Sequence, residues 1–381
     1  MQPEFAYFST WLRGSLSINM PSRRINCITG GVEMMSISLL RVVVVLLVFS
    51  PSIVFATEVN GTGSMIPGPL LKVWSDAYSM RSPSLAIKYK GTNPADGIKR
   101  LVAKEVDFSS IDMPLSTAEL NKNGLVQFPF ALGAVAPIVN LPGVYPGQLK
   151  LDGNVLGEIF LGNIKKWNDP AIVALNPNIS LPDAGIIIIH RVSPPGISTI
   201  IGDYLAKTNP HWKAIKGDGM AGTWPTSAIE VKDPNENVAA LKKTQYSIGY
   251  APIPHIMKNG LAYAQLKNKA GNFISPSDEN ISAAAENAKW EESIGMDIVL
   301  TDQPGESSWP LSMASFALIQ KVSEQPERTR EVLKYFKYSL RYGGLKAVQF
   351  DYIPLPDSVR NVVRANWNKV VDSKGNPVFK D

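Results

Sequence analysis

The sequence predicts an α/β fold with room for two domains, and three observations carry that expectation. Short apolar runs of the kind that form buried strands alternate with helical stretches. Glycine and proline gather in the loops that follow those runs. The chain has 381 residues, 45% of them hydrophobic and 19% charged, enough for two domains that each bury a core.

Taken in order, Pro69–Met80 has the spacing of an amphipathic helix and Leu85–Tyr89 reads as a strand. Ile98–Glu105 is expected to be helical and Asp107–Ser110 extended. Ala131–Asn140 and Ile186–Ile189 are apolar on either parity, the mark of strands buried on both faces, and this points to parallel sheets. Ile200–Lys207, Val238–Lys243 and Glu327–Tyr342 complete the expected helices. No repeat of 20–50 residues is present, which excludes a solenoid.

The first 56 residues stand apart. Arg41 precedes the apolar run Val42–Phe49, and Val54-Phe55-Ala56 supplies a small-residue cleavage site before Thr57. Eight apolar residues are too few for a membrane span, which needs about 20, so a cleaved secretory signal is expected. Met34 and Met35 sit where such a signal would begin, which makes residues 1–33 an extension. The segment holds Arg13, Arg23, Arg24 and Arg41 against Glu4 and Glu33, so of the chain's +5 the part from Thr57 keeps +3. Cys27, the single cysteine, also leaves with it, and no lipid-anchoring cysteine follows the apolar run. A periplasmic protein without disulfides is expected.

Composition also narrows the chemistry. One cysteine and three histidines exclude a four-cysteine metal centre and leave little for a histidine-rich one. A +3 charge spread over 325 residues makes no basic stripe for nucleic acid. Gly196-Ile197-Ser198 begins like a nucleophile elbow, but Ile200 stands where its closing glycine belongs. His190, His211 and His255 read as packed or surface residues, and no Gly-Lys-Ser/Thr phosphate loop exists. No enzymatic activity and no cofactor are expected.

Three loops lead from an expected strand into an expected helix: Gly61–Pro67, Gly91–Gly97 and Arg191–Ser198. Ligands of open α/β sheets bind beyond the carboxyl ends of strands, where helix N-termini offer free N–H groups to an anion. These loops read equally as ordinary strand-to-helix connections.

Longer stretches decide between the two. They are Val106-Asp107-Phe108-Ser109-Ser110-Ile111-Asp112-Met113-Pro114-Leu115-Ser116, Leu151-Asp152-Gly153 and Leu161-Gly162-Asn163-Ile164-Lys165-Lys166-Trp167-Asn168-Asp169. Ile248-Gly249-Tyr250, Trp309-Pro310 and Leu355-Pro356-Asp357-Ser358-Val359 follow. With these the chain resembles the periplasmic phosphate-binding subunits of high-affinity phosphate ABC importers, over essentially all of Thr57–Asp381. The resemblance implies the two-lobed periplasmic-binding-protein fold (type II), with a hinge between lobes that close over inorganic phosphate. Lobe one would be 57–136 plus 310–381, and lobe two 137–309. It implies a monomer that delivers its ligand to a membrane permease. Asp112 stands at the position of the carboxylate that accepts a hydrogen bond from P–OH, a group sulfate lacks. Arg191 matches the guanidinium that binds the phosphate oxygens, and Gly196 matches a loop glycine whose N–H approaches them.

The loops themselves depart from that pattern. Met65 replaces a threonine and is followed by Ile66 where phenylalanine is usual. Pro94 replaces a serine, Pro195-Gly196-Ile197 replaces Ser-Gly-Thr, and Ser193 replaces an acidic partner of the arginine. Asp96 stands where glycine is usual and is expected either to cap a helix near Gly97 or to face the site. Four missing charged hydrogen bonds amount to roughly 6–12 kcal/mol as an upper estimate, against about 8 kcal/mol for micromolar binding. Ser64, Thr92, Asn93, Ser193, Ser198 and Thr199 lie close enough to replace part of this. The expected ligand set is Met65, Ile66, Asp112, Arg191, Gly196 and Ser198. The alternatives are a degenerate paralogue of the same fold binding another small anion or an amphipathic or zwitterionic ligand, or a non-transport interaction or sensing protein.

Overall fold

One strand organises the fold. The computed structural model describes residues 57–192, 196–217, 224–225 and 228–380; the expected signal segment and Ser193–Pro195 lie outside them. The strands are β1 (Thr57–Gly63), β2 (Leu85–Gly91), β3 (Phe108–Ile111), β4 (Leu125–Asn140), β5 (Lys150–Leu151), β6 (Ile187–Arg191) and β7 (Ile229–Val231). They continue with β8 (Ser247–Pro252), β9 (Ala262–Tyr263), β10 (Gln265–Lys267), β11 (Phe273–Ile274) and β12 (Ser312–Gln320). The main sheet runs β2-β1-β3-β12-β4-β8-β6-β7, with β9 also paired to β4, while β5, β10 and β11 form a small sheet.

β4 is 16 residues long and buried almost throughout. β12 pairs with its first part, Leu125–Ala134, and β8 with its last six residues, Val135–Asn140. Both pairings are antiparallel, and so is β12 with β3. Within the main sheet parallel pairing is confined to the flanks, β1 with β2 and β3, and β6 with β7 and β8. The expected parallel sheets are therefore a mixed sheet. Burial on both faces gives an apolar run whichever way the neighbours point, so direction was not encoded in the pattern. β4 also begins six residues before the expected Ala131, because Gln127 and Pro129 interrupt the apolar run. Pro129 sits beside a register shift at Ser315/Phe316, where a residue without an N–H fits a sheet. The Gln127 amide is buried but satisfied: it accepts from Leu115 N and donates to the carbonyls of Leu115 and Gly295.

Expected helices appear with shifted ends, at Gly68–Arg81, Ile197–Thr208, Pro234–Lys243 and Pro326–Tyr342. The second one spans Pro94–Val102, four residues ahead of the expected Ile98. Asn93 is its cap, its side chain accepting from Asp96 N at 2.9 Å, and Pro94 occupies the first helical position. Asp96 is thus a first-turn residue and not the cap. Gly97 is needed here, because a Cβ would lie 2.4 Å from Ser109 Oγ and 2.6 Å from Gly63 Cα. Among the described residues no helix is long and apolar enough to cross a membrane.

Strand register brings two strand ends toward the middle of β4. Ile111 at the end of β3 lies opposite Phe316, itself level with Pro129 of β4. On the other side Ile188 of β6 lies opposite Ile248, level with Val139. β3 runs toward higher numbers of β4 and β6 toward lower ones, so Asp112 and Arg191 follow strands that converge on the place where β4 changes partner. Such a switch point is where α/β sheets bind ligands.

Trp309 secures that place: it is fully buried, its Nε1 donates to Val135 O at 3.0 Å and its N to Asn280 O at 2.9 Å. Trp309→Ala is expected to cost about 3–5 kcal/mol, read as a lower urea midpoint; a change under about 1 kcal/mol would contradict this role.

Candidate functional site

Asp112 follows β3 directly and is 5% exposed. Its Oδ2 accepts from Ser64 Oγ at 2.5 Å and its Oδ1 from Ser315 Oγ at 3.5 Å. Ser64 reaches it because β1 and β3 pair in parallel with Gly63 opposite Ser110. Burial pushes the Asp112 carboxyl up to about 6, with the Ser64 and then the Ser315 hydroxyl pulling it down. No cation is among the groups that shift it.

Met65 and Ile66 continue from Ser64. Ile66 N donates to Ser64 Oγ at 3.1 Å, so one chain of hydrogen bonds runs from the loop backbone to the carboxylate. The Tyr352 hydroxyl donates to Ile66 O, and the Tyr89 hydroxyl to Ser64 O at 2.6 Å. The apolar side chains point outward: Met65 is 66% and Ile66 40% exposed. Met65 also covers Gly91, where a Cβ would lie 3.1 Å from its Cα and Cγ.

The second cluster lies at the end of β6. The Tyr250 hydroxyl accepts from Arg191 N at 3.4 Å and shares a hydrogen bond with Ser198 Oγ at 3.0 Å. Arg191 is half-buried, and its Nε is buried with no hydrogen-bond partner. No carboxylate of the described residues pairs with its guanidinium. Gly196 caps the helix Ile197–Thr208 at φ +128°, a conformation that favours glycine, and donates to Thr199 Oγ1 at 3.4 Å. The structure therefore groups Met65, Ile66 and Asp112 in one cluster and Arg191, Gly196 and Ser198 in another, with no hydrogen bond or ion pair joining the two.

Of the residues weighed as replacement donors, Ser64, Thr92 and Ser198 have their hydroxyls engaged, whereas Asn93 and Thr199 act only as acceptors. Ser64 bonds Asp112, Thr92 Oγ1 meets Thr62 Oγ1 at 3.2 Å, and Asn93 caps a helix. Ser198 bonds Tyr250 and Thr199 accepts from Gly196, while Ser193 lies outside the described residues. Sequence reasoning had not assigned the Ser64–Asp112 bond, nor Tyr250, Ser315 and Tyr352; of these only Tyr250 carried a signal, within Ile248-Gly249-Tyr250.

His190 stacks on Trp224 with centroids 4.0 Å apart, and burial lowers its pKa, so it is a neutral core residue. His211 Nδ1 lies 3.3 Å from Glu158 at the surface. Among the described residues no group of His, Cys, Asp or Glu is arranged to hold a metal ion.

With this geometry in hand the relatives can be read. Residues 54–340 match the PBP superfamily domain. The phosphate-binding protein PstS of Pasteurella multocida is 40% identical over 319 residues, covering 84% of this chain and 92% of its own. That of Haemophilus influenzae is 40% identical over 313 residues, covering 82% and 93%. The chain belongs to the PstS family of the PBP superfamily. Two solved structures share its two-lobed α/β fold. An ABC-type phosphate transport receptor from Vibrio cholerae has a TM-score of 0.55 at 18% identity, covering 78% of this chain and 100% of its own. PstS from Borrelia burgdorferi has 0.53 at 17%, covering 79% and 99%.

The Asp112 environment gives a signed pH dependence. Its folded pKa, about 6, lies above the unfolded value near 3.8, so ionisation costs the native state. That cost is absent below about pH 4 and complete above about pH 6. Asp112→Asn is expected to be neutral at about pH 4 and to stabilise the chain by about 1–3 kcal/mol at about pH 8. Urea unfolding at the two pH values checks it, and an equal effect at both would contradict it.

Proposed function

We propose that this chain is the periplasmic phosphate-binding subunit of an ABC importer, which captures inorganic phosphate between two lobes and delivers it to a membrane permease. The observation that carries this reading is the Arg191 guanidinium, half-buried, with its buried Nε lacking a hydrogen-bond partner and no carboxylate of the described residues within ion-pair distance, at a strand end that converges with that of Asp112. A half-buried cation without a partner is costly, and an anionic ligand removes the cost. Asp112 supplies selectivity: a carboxylate accepts a hydrogen bond from a protonated phosphate oxygen and repels sulfate, which has no proton to give.

The lobes are proposed as 57–136 plus 310–381 and 137–309, joined where β4 crosses between them and at Trp309-Pro310 just before β12. Ligand capture is then rotation of one lobe against the other about those crossings. Secretion through the segment before Thr57, action as a monomer and release to a permease follow from the same reading, which the names of the relatives support.

Calorimetry on the chain from Thr57 tests the reading. Phosphate is expected to give saturable heat and sulfate none, and Arg191→Ala to weaken phosphate binding at least about tenfold, the loss of one charged hydrogen-bonding group. No heat with phosphate at millimolar concentration, or an unchanged affinity in Arg191→Ala, would overturn it.

A further inference from the structure

On that reading, the site also carries an apolar rim that a bare phosphate ion leaves unused. Phosphate presents oxygen in every direction, and each oxygen turned toward an apolar wall gives up its hydrogen bonds to water without replacement. Met65 and Ile66, beside Asp112, are 66% and 40% exposed, and Pro94 is exposed at the start of the adjoining helix with no N–H to give. Val192, directly after Arg191, is 49% exposed. The hydroxyls of Ser64, Thr92 and Ser198 near these residues are turned to internal partners. Each polar cluster thus offers one strong charged group beside an apolar surface.

We infer that the ligand is a tetrahedral phosphorus oxyanion carrying one apolar substituent, an alkylphosphonate or a simple alkyl phosphate monoester. In this arrangement the oxygens face Arg191 and Asp112, and the substituent lies on Met65, Ile66 and Pro94. This inference rests on the anion-binding reading above and specifies its substrate class. Burying three methylene-sized groups favours the substituted ligand by about 2 kcal/mol, or more than tenfold in affinity.

Competition and direct calorimetry with phosphate, propylphosphonate and propyl phosphate on the chain from Thr57 test it. Either propyl compound is expected to bind at least about tenfold more tightly than phosphate; which one wins separates phosphonate from monoester. Met65→Thr, at a side chain too exposed to matter for folding, is expected to reverse the preference by weakening the propyl compounds and tightening phosphate. Phosphate binding as tightly as both propyl compounds, or a preference unmoved by Met65→Thr, would overturn the inference and leave the proposed function standing. Absence of binding by all three would overturn both.

Discussion

The change of partner along β4 is the constraint from which the rest of the structure follows. A single strand pairs with β12 through Ala134 and with β8 from Val135 onward, both antiparallel. With the centre fixed in that way, the parallel flanks are forced to point at one another: β3 approaches the switch from one side and β6 from the other. Each ends on a charged residue, Asp112 or Arg191. The buried Trp309 bonds the Val135 carbonyl at the switch itself, so the geometry of the approach is held by the core and not by the loops.

Electrostatics divides between the two strand ends. Burial without a cation raises the Asp112 carboxyl to about 6, and the Ser64 and Ser315 hydroxyls pull it down in part. Arg191 has the opposite sign, its buried Nε has no hydrogen-bond partner, and the exposed Asp233, which feels its charge, makes no ion pair with it. Each charge alone is unfavourable in its position, and a ligand that is both anionic and protonated relieves the two together. The hydroxyls of Ser64, Thr92 and Ser198 are already held by Asp112, Thr62 and Tyr250. The apolar residues at the same loops then decide which anion is accepted.

Much of this was legible in the sequence, for identifiable reasons. Apolar runs located parts of β4 and β6, because burial writes itself into composition, while β8 and β12 were not read as strands; pairing direction left no trace, so the mixed sheet was missed. Gln127 and Pro129 concealed the first third of β4, since neither signals a core strand until the bulge and the satisfied amide are seen. Asn93-Pro94 read as a loop, although proline at a first helical position beside an asparagine cap is also a helix start. Asp112 and Arg191 were readable only through the resemblance of long motifs. The Ser64–Asp112 hydrogen bond was not, because it joins residues 48 apart in the chain through the register of β1 and β3.

The central claim is that Asp112 and Arg191 act on one ligand from two strand ends. Isotope-edited NMR of the chain from Thr57, following the Nε–H signal of Arg191 and the carboxyl carbon of Asp112 in one titration with phosphate and one with propylphosphonate, tests it most directly. Both signals are expected to move with a common midpoint for each ligand that binds. Movement of only one of them, or two different midpoints, would contradict the account.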